Sequence, residues 1–396
     1  MDTLELKRGD RDWPLWPIVP NYPYGRRRTL RREIVPGKLS TFDQVLGSFY
    51  VVVPIRMTVL MLAAGGLFVF SPVSPTRECV RLVRELEATH GPVKYVVLPT
   101  VTGVEHKYFA GPFAQKFKSA QVYVAPNQWS FPIDLPMSWL GFPAKRTHIL
   151  PAESSQTPFY DEFDYAIVGP IDLSVKPYTE VAFLHRETRS LLAVDTILSI
   201  PTDPPEVVAQ DPFPLMFHAR DSATDPLLDT PETLRKGWAR IAVFTFYFQP
   251  ERLEVPKIGT VFQNARQASD RTKKNYFGLY PFQWQAGWYD SFEQLRQEGR
   301  LIVAPILQTL IFNRGPDAVL KWADTIAGWD FEQVLPCHYS DPVNATPAEF
   351  RRAFDFLERP NQQSWTGFDH AVPMADLETL GQIDRRLEKR VLPPPR

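Results

Sequence analysis

The apolar residues of this chain fall into short runs separated by turn signals. From Arg56 onward, MTVLML, a Gly65-Gly66 turn and LFVFSP read as a β-hairpin. Residues 76–89 follow as a helix, because Val80, Leu82, Val83 and Leu86 recur at helical spacing and Gly91-Pro92 stops them. VKYVVLP then predicts a short buried strand, residues 107–117 a second helix, and AQVYVAP another strand. This alternation of strand and helix is the α/β signature. Strands resume at DYAIVGPI, EVAFLHR and LLAVDTIL, with residues 186–190 turning between the last two. The final block holds LIVAPILQTLIF, a helix over 316–327, the strand FEQVLP and a helix over 346–357.

Other segments lack this order. Residues 1–50 read as an N-terminal extension, since WPLWPIVPNYPYG is rich in proline and aromatics that disfavour helix and strand interiors. Residues 126–160 and 201–300 read as insertions. The second has a helix near 231–244 and the stretch YFGLYPFQWQAGWYD, whose rings read as cover for a core. The expected organisation is an extension (1–50), one domain over 51–358 carrying both insertions, and a C-terminal tail (359–396). The insertions are expected at the mouth of the domain's cleft, because they leave the core beside its strand ends.

Composition narrows this picture. The 39 prolines and 10 tryptophans among 396 residues imply long connections held down by aromatic packing, and 13% aromatics excludes low-complexity disorder. A formal net charge of -1 gives no general attraction to nucleic acid, and none is expected as a partner. Arg26, Arg27, Arg28, Arg31 and Arg32 are a local exception. They read as a patch for an anionic partner or, alternatively, as a solvated face with structural ion pairs. Two cysteines are too few for a disulfide scaffold, which fits a reducing compartment. The polar, acid-containing start MDTLELKRGD resembles neither a secretory signal nor a transit peptide, so the expected location is the cytoplasm or plastid stroma. The apolar run 57–70 is shorter than the ~20 residues a membrane span needs, and the glycine pair splits it.

The chemistry concentrates at three strand ends, the place where α/β sheets build sites. Glu105 and His106 follow VKYVVLP, Asp195 ends LLAV, and Cys337 and His338 end FEQVLP. Imidazole and carboxylate together suit zinc, iron or manganese. His218, in PLMFHARD, is a further cleft candidate. Cys337 reads as a small buried residue in a tight turn rather than a nucleophile, and GGLFVF lacks the lysine and spacing of a phosphate loop.

The order of hairpin, helix, strand, ligand loop, later Asp and final Pro-x-His turn resembles the metallo-β-lactamase superfamily, over roughly 52–200 and 301–358. RDWPLWPIVPNYPYGRRRTLRRE, VVVPIRMTVL, VAPNQWSFP, FGLYPFQW and VAPILQTLI more closely resemble an uncharacterised family of photosynthetic lineages related to that fold. The resemblance implies a layered α/β fold, an αββα sandwich with long insertions. The superfamily's first motif, His-x-His-x-Asp-His, aligns with Val101, Thr102, Gly103, Val104, Glu105 and His106. Its first two histidines are absent here, and Glu replaces Asp. The third-motif His is absent from VKPY. Asp195 matches the bridging Asp and His338 the final His. One metal site has thus lost its histidines, while the other keeps counterparts in Glu105, His106, Asp195 and His338. The resemblance implies one Zn, Fe or Mn ion in a hydrolase or oxidoreductase. The alternative is a non-catalytic binding or assembly protein in which these residues serve packing and the helix start.

Overall fold

The computed structural model describes residues 8–15, 17, 20–102, 104–130, 133–174, 176–358 and 375–388. Most of the expected tail, with His370 and the terminal LPPPR, lies outside the described residues, as does Val175 of VKPY.

The first sheet has seven strands in chain order: β1 (Leu30–Val35), β2 (Leu39–Ser48), β3 (Val51–Met61), β4 (Leu67–Phe70), β5 (Val93–Leu98), β6 (Gln121–Val124) and β7 (Thr147–Ile149). Pairing is antiparallel from β1 to β4 and parallel from β4 to β7. The helices α1 (Arg77–His90) and α2 (Val104–Lys116) make the crossovers on either side of β5. The second sheet begins with β8 (Phe163–Ile171), β9 (Tyr178–His185) and β10 (Ser190–Ala193). The chain then leaves through α3 (Glu206–Ala209), α4 (Phe213–Ala219) and α5 (Pro231–Tyr247). It continues through β11 (Leu253–Glu254), α6 (Ile258–Gln267), β12 (Gln283–Trp284) and α7 (Trp288–Arg296). It returns by α8 (Pro305–Leu310), α9 (Pro316–Ala327), β13 (Gln333–Pro336), β14 (Val343–Asn344) and α10 (Pro347–Arg352), and α11 (Glu378–Glu388) follows. The second sheet is ordered β14-β13-β10-β9-β8, and β13 lies parallel to β10.

Alternation along the strands explains the layers. In β4, Leu67 and Val69 face the core under α1 and α2, while Phe68 and Phe70 face the other sheet. In β9, Val181 and Phe183 lie between the sheets, while Ala182 and Leu184 join Trp322 of α9 and Phe350 of α10 on the outer side. Both faces of both sheets are covered, which is why these strands read as unbroken apolar runs rather than alternating ones. Phe68 stacks on Phe163 at 4.2 Å and meets Phe159 and Phe183 edge-on or tilted, so this nest cements the two sheets. The result is the expected αββα order.

Two expectations need correction, and of the two readings of the arginine patch the ion pairs favour the structural one. Residues 30–48, expected within an extension, form β1 and β2 of the larger sheet. Their apolar pattern is diluted because Asp43 and Gln44 are buried and paired, to Arg56 and to Thr29 and Ser74. The arginine patch is mostly structural. Arg27 is buried, donating to Val45 O, while Arg26 pairs with Asp12, Arg31 with Glu85, and Arg32 with Asp43 and Asp341. Among the described residues, Arg28 alone of the five is exposed and has no ion pair. The second insertion mainly thickens the core, with α3 and α5 packing on β3 and α3 also on β2. Its contact with the ligand turn is through Tyr339, whose ring meets Trp238 and Phe246 of α5. No helix among the described residues is long and apolar enough to cross a membrane.

Candidate metal centre

Three strand ends meet where the sheets are stitched together. Ala193 at the end of β10 pairs with Pro336 at the end of β13, so Asp195 and His338 emerge side by side, each two residues on. Single bridges from Ile55 to His338 and from Thr100 to Glu180 join the two sheets at this level. The loop after β5 brings in the first turn of α2, which carries Glu105 and His106. All four side chains converge. His338 Nε2 lies 3.1 Å from Asp195 Oδ1 and 3.4 Å from Glu105 Oε1. Glu105, His106 and His338 each offer a ligand atom within 4.8 Å of the others. Asp195 stands outside that tightest group but touches His338, and Thr102 Oγ1 donates to its other oxygen at 3.4 Å.

The two imidazoles are held alike. His106 Nδ1 lies 3.2 Å from Pro72 O, and His338 Nδ1 lies 3.1 Å from Pro54 O. A carbonyl only accepts, so each Nδ1 carries a proton, and a neutral ring then has its lone pair on Nε2. Among the described residues, His106 Nε2 is buried without a hydrogen-bond partner. His338 Nε2 is close to both carboxylates but aligned as a hydrogen bond with neither. A backbone carbonyl on the far nitrogen is how proteins orient ligating histidines.

Charge is shared within the cluster. Burial works against the His338 imidazolium, but Asp195 and Glu105 outweigh it and hold the pKa up at about 10. Burial also raises Glu105, and His338 more than offsets this, so the carboxyl stays ionised. Burial, aided by the His338 charge, lowers His106 and keeps it neutral.

The family described as Domain of unknown function (DUF4336) matches residues 36–356. The chain belongs to that family. The DUF4336 match takes in β2 and all four cluster residues. A search among curated proteins found no match. Among solved structures, the chain is similar to the metal-soaked Flv1 flavodiiron core from Synechocystis, at 10% identity and a TM-score of 0.42, over 85% of this chain and 63% of that one. The DUF4336 chain thus spans less than two thirds of that core's length. It is also similar to a metallo-β-lactamase from Pontibacter korlensis, at 8% identity and a TM-score of 0.37, over 83% and 99% of the two chains. The DIM-1 metallo-β-lactamase gives 11% and 0.39, over 85% and 98%.

The DUF4336 chain adds supports that the strand-end reasoning missed. Glu180, fully buried in β9, accepts from Val194 N, Asp195 N and Thr196 N at 2.9–3.2 Å and from the hydroxyls of Thr196 and Tyr178. It therefore fixes the turn that aims Asp195. Burial, then the Asp195 charge, raises its pKa. The signal in the sequence was the acid that opens the apolar run EVAFLHR. Arg56 does the same for His338: it pairs with buried Asp43 at 2.7 Å and donates to Ser340 O at 2.7 Å and Pro336 O at 3.3 Å. Lys107 is buried beside His106, and its ammonium donates to Val101 O and Trp129 O, tying the ligand loop to the first insertion.

His218 is not brought to this cluster. Its Nε2 lies 3.3 Å from Phe49 O, and its ring packs on Phe217 and Phe282. Position after a long loop carried no information about direction, and the aromatic surroundings decide. Cys337 is buried, and burial pushes its thiol pKa well up, so it has no thiolate to offer.

Proposed function

We propose that Glu105, His106, Asp195 and His338 hold one divalent ion, Zn, Fe or Mn, and that the protein is a metal-dependent hydrolase. The observation that carries this is the pair of imidazoles, both anchored through Nδ1 on backbone carbonyls, with the buried Nε2 of His106 left without a hydrogen-bond partner among the described residues, in a group with Glu105 and His338. Leaving such a nitrogen unmet costs about 1–3 kcal/mol, and a bound cation would remove that cost. Two imidazoles and two carboxylates fit all three ions. When bound, such an ion supplies Lewis acidity and makes a water acidic near neutral pH.

The chain's own groups supply the rest. Glu180 and Arg56 keep Asp195 and His338 from swinging away. Asp195 and Glu105 are about a fifth to a quarter exposed, so the cleft opens to solvent on their side. Hydrolysis is preferred over redox chemistry because all three ions support it, whereas electron transfer needs iron or manganese and a partner. The test is elemental analysis of protein purified without chelators, followed by assay against ester, lactone, thioester and phosphodiester panels. Stoichiometric zinc with hydrolysis supports the reading, and iron without hydrolysis moves it to an oxidoreductase. A second reading is a binding or assembly protein. It is favoured by the pairing of His338 with Asp195 and Glu105, which balances charge without an ion, and a folded, metal-free, inactive protein would establish it.

A further inference from the structure

A second feature lies apart from the cluster. The β2–β3 hairpin ends in a turn whose two residues, Phe49 and Tyr50, both have positive φ, 51° and 63°. Tyr50 turns inward and Phe49 outward, 71% exposed. Under this tip is a cavity of about 880 Å³, walled by the hairpin, α4, the end of α5, α6 and the stretch before β12. Among the described residues no charged side chain lines it, and its polar side chains are limited to Asn21, Ser48, Thr245 and Tyr276. Such a cavity fits a hydrocarbon, since any ionised group inside it would lack a partner.

The rim is apolar as well. Ile258 and Phe262 project from α6 at 76% and 56% exposure, while Val261 and Ala265 of the same helix are buried. Around this rim the charge is one-sided. Residues 255–280 hold Lys257, Arg266, Arg271, Lys273 and Lys274 against the single acid Asp270, in a chain whose net charge is -1. All five cations are exposed, and none has an ion-pair partner among the described residues. The arginines of the cluster's surroundings, such as Arg32 and Arg56, are by contrast paired.

We propose that this face docks on a bilayer rich in anionic lipid, with Phe49, Ile258 and Phe262 entering the interface, the five cations meeting the headgroups, and a lipid acyl chain occupying the cavity. Exposed apolar side chains within a cationic ring are the features that seat a protein in a membrane interface. The net charge of -1 does not oppose this, because the attraction is local and decays within about 8 Å in physiological salt.

The test is co-sedimentation of the full chain with vesicles. It should pellet with equal parts phosphatidylglycerol and phosphatidylcholine, and not with phosphatidylcholine alone. Lys273→Gln and Lys274→Gln should each weaken partitioning about fivefold. Ile258→Asp with Phe262→Asp should abolish pelleting although every cation remains. Both are surface positions, so melting and circular dichroism should match the parent. If that variant misfolds, the lysine pair decides. Failure to pellet with the anionic vesicles overturns the proposal, and so does pelleting indifferent to the lysine or the Ile258 and Phe262 changes. Binding of soluble oleate without vesicle binding would assign the cavity to a carried fatty acid and also overturn docking.

Discussion

The cleft at the ends of β5, β10 and β13 and the cavity under the β2–β3 tip are built by opposite means. In the cleft the buried charged groups answer one another or the backbone: Glu180 gathers three backbone amides, Arg56 joins Asp43 to the His338 turn, and His338 faces two carboxylates. Among the described residues no charged side chain lines the cavity, and the cations of residues 255–280 are exposed. Among the described residues the buried Nε2 of His106 has no hydrogen-bond partner there, and it lies beside Glu105 and His338, which is why it points to a ligand. Charge by itself marks neither site. What matters is whether a charged group is already met by the fold.

The largest expected effect comes from breaking the cleft's internal pairing. Arg56→Ala leaves Asp43 buried with only Arg32 and releases the carbonyls of Pro336 and Ser340. Removing one partner of a buried pair should cost on the order of 3 kcal/mol, measured by denaturant unfolding. Vesicle binding by the surviving folded protein should be unchanged, and a loss there would mean that the two regions are not separate. Glu180→Gln comes next. It keeps the shape but weakens the acceptor for three amides, so about 1–3 kcal/mol is expected, with weaker metal retention than the parent.

Fold-level features were legible because covered strands must be apolar on both faces, and β4, β5, β9 and β10 announced themselves so. β2 did not, because Ser40, Thr41, Asp43 and Gln44 are buried among its apolar residues, the last two met by partners elsewhere in the chain. The four cluster residues could be named because each follows a strand end closely. Their supports could not be ranked, since Glu180 and Arg56 look like defects in apolar runs until the turns they hold are seen. Which of the two readings of the N-terminal arginines holds was hidden for the same reason: Asp341, the partner of Arg32, is 309 residues away. The cavity was illegible because its wall comes from separated segments, from Asn21 to Phe282.

Acid and base should separate the two regions. His218 is neutral in the fold, since burial lowers its pKa to about 3, against about 6.5 in the unfolded chain. The unfolded state takes up the extra proton between these values. The stability contribution of neutral His218 is therefore whole above about pH 6.5 and falls with pH toward 3, by about 2 kcal/mol between pH 7 and pH 5. His218→Phe should flatten that limb. His338 has the opposite sign in the metal-free protein: raised to about 10, it contributes stability that is whole below about pH 6.5 and lost as pH rises through 10. Urea midpoints at pH 5, 7 and 9.5 would check both slopes. Thr102→Val should do least, under about 1 kcal/mol, since its contact with Asp195 is long and partly exposed.

Whether the cluster holds an ion decides between a metal-dependent hydrolase and a binding protein. Metal content should be measured by mass spectrometry on protein purified without chelators, for the parent, His106→Ala, His338→Ala and Cys337→Ala. One Zn, Fe or Mn per chain is expected in the parent and in Cys337→Ala, one residue from the ligand, with loss in both histidine variants. A folded parent without metal, unable to take up any of the three ions after reconstitution, would contradict the hydrolase reading.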